Sequence, residues 1–142
     1  GSIDLTSNDI YAPIYAIADG IVTGIYSKGN SSCYSSGIKG CSNCVGERRE
    51  NYVTITSNIN GDIVEHSYFH LSEVNVSYGE KVSKGTQIGK MGNTGCSSGN
   101  HLDFRFSDGK GNACNPEKLM KLTGCDIATV NSCASERSYC GM

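Results

Sequence analysis

The chain reads as a mainly β protein, and three features carry that reading. Eighteen glycines stand against two prolines, a balance that supplies turns without breaking strands. Several short stretches alternate apolar and polar residues with the period of two that marks a half-buried strand. Eight cysteines, at 33, 41, 44, 96, 114, 125, 133 and 140, suit a loop-rich fold held by disulfides. At 142 residues a single domain with a core of its own is expected.

The expected elements run in order. Residues 14–26 form two short strands around Asp19-Gly20, a turn dipeptide. Residues 27–47 are rich in Ser, Gly and Cys and form a surface insertion pinned by cysteines. Asn51-Tyr52-Val53-Thr54-Ile55-Thr56 is a strand of strong β formers, residues 58–62 are a hairpin turn, and Ile63 to Leu71 return. Residues 73–77 make a loop anchored by Val74 and Val76. Residues 79–85 turn again, Gln87 to Gly92 form a short strand, and His101 to Phe106 close the core. Pro116 to Leu122 form a short helix capped by Asn115 and ended by Gly124. Residues 120–142 are a cysteine-rich extension held more by disulfides than by a core.

Composition excludes some functions. A net charge of −2 gives no electrostatic reason to expect nucleic acid or an anionic membrane, and no apolar run is long enough to span a bilayer. No leader pattern is present, so an oxidising, extracytoplasmic setting is inferred from the thiols. Cys41-x-x-Cys44 with Cys33 is alternatively half a zinc knuckle, but no second such pair follows.

The chemistry gathers in two places. After the glycine-rich stretch 92–100, alternation puts His101 and Asp103 on one strand face and Leu102 and Phe104 on the other. On the earlier strand Val64, His66, Tyr68 and His70 share a face. For His66 the expectation is that this face meets solvent. Cys96, close to His101, is a disulfide partner, most simply of Cys114, rather than a nucleophile, and there is no G-x-S-x-G serine motif.

These residues resemble the lysostaphin/LytM family of zinc peptidases over residues 2 to 119. Six pieces run in the family's order: Gly1-Ser2-Ile3-Asp4-Leu5 like the end of H-x-G-x-D, with Ser2 where the family has glycine; Pro13-Ile14-Tyr15-Ala16 followed by Ala18-Asp19-Gly20-Ile21-Val22; Asn51-Tyr52-Val53-x-Ile55; Tyr68-x-His70-Leu71-Ser72; residues 79–89 like G-x-x-V-x-x-G-x-x-I-G; and Asn115-Pro116. The stretch 92–104 resembles G-x-T-G-x-S-x-G-x-H-L-H-F, with Asp103 where the family has its second histidine.

The resemblance implies a compact antiparallel β-sheet with a groove, a peptidase-like domain over 1–119 and the extension at 120–142. It implies zinc as the cofactor, with Asp4 as the metal aspartate, Asp103 at the third metal position, His70 and His101 as catalytic histidines and Tyr68 beside the substrate. The family's first metal histidine would fall four residues before Asp4, ahead of Gly1. Two carboxylates without an imidazole make a harder site, better suited to calcium, magnesium or manganese than to zinc, so this chain alternatively holds no metal.

The implied setting is the bacterial envelope or its exterior. The implied partner is a peptidoglycan peptide or another envelope protein. The metal positions favour a degenerate form that binds or regulates. The alternative is an active metal-dependent endopeptidase with Asp103 as a ligand.

Overall fold

The computed structural model describes residues 2–33, 44, 49–115 and 132–136. Ten strands are present among them: β1 (Ser2–Thr6), β2 (Pro13–Tyr15), β3 (Gly20–Tyr26), β4 (Asn51–Ile59), β5 (Asp62–Leu71), β6 (Glu73–Val74), β7 (Lys81–Val82), β8 (Gln87–Lys90), β9 (Leu102–Asp108) and β10 (Ser132–Glu136). They form a seven-stranded sheet in the order β10-β1-β9-β5-β4-β3-β7 and a three-stranded sheet in the order β2-β8-β6. Every pairing between these strands is antiparallel. The expected antiparallel β architecture is therefore present.

The long β4–β5 hairpin is the backbone of the large sheet. Its register runs from Asn51↔Leu71 to Ile59↔Asp62. Asn60 and Gly61 close it with φ of 52° and 95°, the two positive values that a two-residue hairpin turn needs. The strands on either side of Asp19 do not pair with each other: β2 joins the small sheet through β8, while β3 lies between β4 and β7. Asp19 instead accepts the Lys84 N–H through Oδ1 at 2.7 Å.

One core serves both sheets. Leu5, Val22, Val53, Ile55, Val64, Leu102, Phe104 and Phe106 come from the large sheet, and Ile14 and Ile88 from the small one, all buried. Val76 is buried and Val74 packs at the core's edge, as expected for two anchors.

The face of β5 that carries His66 is a correction to the sequence reading: it points into the core, and His66 is 0% exposed. β5 is a central strand between β4 and β9, so its inward face has no route to water. The buried ring is satisfied at both nitrogens. Nε2 lies 2.8 Å from Ser57 Oγ, and Nδ1 lies 2.8 Å from Tyr68 Oη. Tyr68 Oη already accepts the Ile17 N–H at 3.0 Å. Its own proton goes to His66 Nδ1, which leaves Nε2–H to donate to Ser57.

Cys33 and Cys44 form a disulfide at the insertion. Cys96 and Cys114 are each held in a disulfide as well, so Cys96 offers no thiolate; the disulfide between described cysteines is Cys33–Cys44, not the expected Cys96–Cys114 pair. The rest of the insertion, 34–43 and 45–47, and the expected helix from Pro116 to Leu122 lie outside the described residues. The C-terminal extension contributes more than cysteines: β10 pairs with β1 and extends the large sheet beyond it.

Burial pushes the His66 pKa down to about 3. The folded state therefore keeps this ring neutral where the unfolded chain, near 6.5, takes up a proton. Stability is full above pH 6.5 and declines as pH falls from there towards 3, by up to about 1.4 kcal/mol per pH unit. Denaturant unfolding at pH 7 and pH 5 should show a clear loss of midpoint at pH 5. Equal midpoints would contradict the buried neutral ring.

Candidate functional site

Three neighbouring strands bring the site together. β5 pairs Phe69 with Asp103 of β9, and β9 pairs Asp103 with Asp4 of β1. His70 therefore sits one residue along β5 from the row that holds both aspartates. His101 enters just ahead of β9, where it forms an isolated bridge with Gly92. The two imidazole centroids lie 4.9 Å apart. His70 Nε2 is 3.9 Å from Asp103 Oδ2, and His101 Nε2 is 3.9 Å from Asp4 Oδ1. The four residues that the sequence singles out thus share one place.

Backbone carbonyls set both rings the same way. His70 Nδ1 donates to Thr94 O at 2.7 Å, and His101 Nδ1 donates to Gly99 O at 2.8 Å. An oxygen that can only accept fixes a proton on Nδ1, so that in the neutral ring Nε2 is the lone pair. Burial, above all, holds His70 below the ordinary histidine range. The bond to Thr94 and the charge of Asp103 act against that, and His101 acts with it. A neutral His70 makes the 3.9 Å approach to Asp103 a gap rather than an ion pair.

His70 reaches this position through an unusual backbone. Its φ is 65°, in the left-handed region that a side chain with a Cβ rarely occupies. The loop that supplies the Thr94 carbonyl turns at Gly95, where φ is 73° and a Cβ would meet the Glu50 backbone nitrogen at 2.6 Å. Cap and ring are thus both placed by local backbone geometry.

Asp103 is 8% exposed and is not idle. Arg105, two residues along the same face, grips it: Nη2 donates to Oδ2 at 2.9 Å, and Nε lies 3.3 Å from each carboxylate oxygen. The guanidinium also lies over the Phe69 ring at 4.4 Å, and its bond to Asp103 holds it firmly charged. No motif in the sequence marks Arg105, although the alternation that pairs His101 with Asp103 extends to it. Among the described residues no group of three or more His, Cys, Asp or Glu stands in position to hold a metal ion.

Tyr68 departs from its expected place beside a substrate. It is 0% exposed, and its hydroxyl is engaged by Ile17 and His66. It packs against Phe104 inside the core and has no surface to offer a ligand.

The sequence model of Peptidase family M23 matches residues 2–116. The chain belongs to peptidase family M23. Over 56 residues it is 44% identical to peptidoglycan DD-endopeptidase ShyA of Vibrio cholerae, a stretch covering 39% of this chain and 12% of that protein. Over 57 residues it is 46% identical to an uncharacterized metalloprotease of Haemophilus influenzae, covering 40% of this chain and 12% of that one. The chain thus matches only a small part of the length of these curated relatives.

Among solved M23-like structures, the catalytic domain of lysostaphin from Staphylococcus simulans superposes with a TM-score of 0.60 at 26% identity, covering 83% of this chain and 76% of that one. A zinc-containing peptidase from Vibrio cholerae gives a TM-score of 0.54 at 26% identity, covering 75% of this chain and 26% of that one. The lysostaphin/LytM resemblance read from the motifs is therefore a true family relation.

The left-handed backbone at His70 gives a direct test. Glycine is free of the Cβ penalty at positive φ, and alanine is not. His70→Gly should be more stable than His70→Ala by about 1 kcal/mol, the reverse of their usual order inside a strand. Chemical denaturation of the two variants checks it, and an alanine variant as stable as the glycine one would remove the strain.

Proposed function

We propose that this chain is an extracytoplasmic M23-fold domain directed at peptidoglycan peptides, and that it binds them without cutting them. The pairing of Asp103 with Arg105 carries this reading. The family relation implies a zinc centre, and zinc catalysis takes three protein ligands plus a water. On the described residues the donor set does not fit that requirement. The carboxylate at the third ligand position is spent on a guanidinium at 2.9 Å, and that cation would repel a dication brought to the same oxygens.

What remains suits recognition of a peptide backbone. The Nε2 atoms of His70 and His101 and the Asp4 carboxylate can accept amide protons. Arg105, with its side chain 54% exposed, can donate to a carbonyl or carboxylate. The ShyA similarity supports a wall peptide as the ligand class, and the disulfides support an oxidising compartment outside the cytoplasm. A partner protein of the envelope that presents such a peptide would meet the same groove.

One observation favours a second reading, that of an active metal-dependent endopeptidase. Both imidazoles keep Nε2 turned towards the gap beside the aspartates, which is where a metal-dependent peptidase would use them. Zinc calorimetry and turbidity of a purified wall suspension separate the two, on the sequence given and with any native residues upstream of Gly1. The expected outcome is no tight zinc and no clearing. Asp103→His, with an imidazole restored at the third position, should bind zinc at least about tenfold more tightly, since zinc favours nitrogen there. Tight zinc and rapid clearing by the unaltered chain, both lost in Asp103→Ala, would make Asp103 a ligand and overturn the binding-only reading.

A further inference from the structure

Thr94 joins three parts of the chain. Its carbonyl oxygen takes the His70 Nδ1 proton at 2.7 Å. Its hydroxyl donates to Leu71 O at 2.9 Å and accepts the Asn51 N–H at 3.0 Å. Asn51 is 1% exposed and uses its whole amide. Nδ2 donates to Gly29 O at 2.7 Å and to Leu71 O at 3.0 Å, and Oδ1 accepts the Gly29 N–H at 2.7 Å. A flipped amide would set donor against donor and acceptor against acceptor, so this orientation is unique.

These bonds converge on the residue that most needs holding. His70 stands at φ 65°, and such a conformation persists only where its surroundings over-determine it. The carbonyl of Leu71, the next residue, receives two buried donors, and the ring itself is held by Thr94 O. The same amide clamps both backbone groups of Gly29, where the cysteine-rich insertion leaves β3. The stem then runs beside the site loop: Cys33 N–H donates to Gly95 O at 2.8 Å, Gly95 N–H to Ser31 O at 3.1 Å, and Ser32 Oγ to Ser97 O at 2.6 Å.

We propose that Asn51 and Thr94 are the positioning residues of His70. They fix its Nδ1–H tautomer, aim Nε2 towards Asp103, and tie that setting through Gly29 to the stem of the cysteine-rich insertion. Neither touches a ligand; both act through His70. The inference does not depend on what the groove binds.

Nitrogen NMR of the histidine-labelled, ligand-free chain at neutral pH reads this directly, because there are only three histidines. His66 carries its proton on Nε2 by the bonding described above, and His70 on Nδ1, so His66 is an internal control of the fold. In Thr94→Val the His70 ring should lose its pure Nδ1–H pattern and show a mixture with the Nε2–H form, while His66 is unchanged. Thr94→Ser, which keeps the hydroxyl, should restore it. Asn51→Asp keeps the acceptor for Gly29 and loses both amide donations. It should give a smaller shift at His70, and it carries the test if Thr94→Val loses the His66 pattern and so fails to fold. A His70 pattern unmoved in folded Thr94→Val, or equal disturbance of all three rings in Asn51→Asp, would overturn the proposal.

Discussion

The register of three adjacent strands, β5, β9 and β1, is the constraint on which the site depends. Phe69, Asp103 and Asp4 lie in one cross-strand row because β9 is locked between its neighbours. That lock comes from the opposite face, where Leu102, Phe104 and Phe106 are buried. A slip of one residue would turn all three to water and drive Asp103 and Arg105 into the core. Burying each such apolar side chain stabilises by roughly 2 kcal/mol. The core therefore outweighs the polar groups in setting where the acids stand, and the site inherits its geometry from packing.

Local chemistry then decides what the placed groups can do. Carbonyls of the 92–101 loop hold the Nδ1 proton of both imidazoles and leave Nε2 turned towards the aspartates. Arg105 neutralises Asp103 and is itself steadied by Phe69. The outcome is a cluster of two imidazoles, two carboxylates and the Arg105 guanidinium on the scaffold of a metallopeptidase family. The strained backbone at His70 is the cost of bringing its ring to that place, and the buried Asn51–Thr94 network is what maintains it.

Much of this was legible in the sequence. Alternation along residues 101–106 predicts the shared face of His101 and Asp103, and the ordered motifs predict that Asp4 and His70 join them. The β4–β5 hairpin follows from Asn60-Gly61. Alternation does not say which face is inside, so it places His66 at solvent, and the family resemblance alone places Tyr68 beside a substrate. Only the tertiary position of β5, central in the sheet, settles the question. Arg105 lay in plain view, but its effect on Asp103 needs the side-chain geometry. The Asn51–Thr94–Leu71 network joins residues twenty or more positions apart, and no local pattern announces it.

The central claim is a groove that grips wall peptides without metal chemistry. Co-sedimentation of the chain with purified peptidoglycan, with and without a strong chelator, tests it most directly when the released fragments are counted in the same tube. The account predicts equal binding in both conditions and no fragments in either. Binding that vanishes with chelator, or fragments that appear only without it, would contradict it.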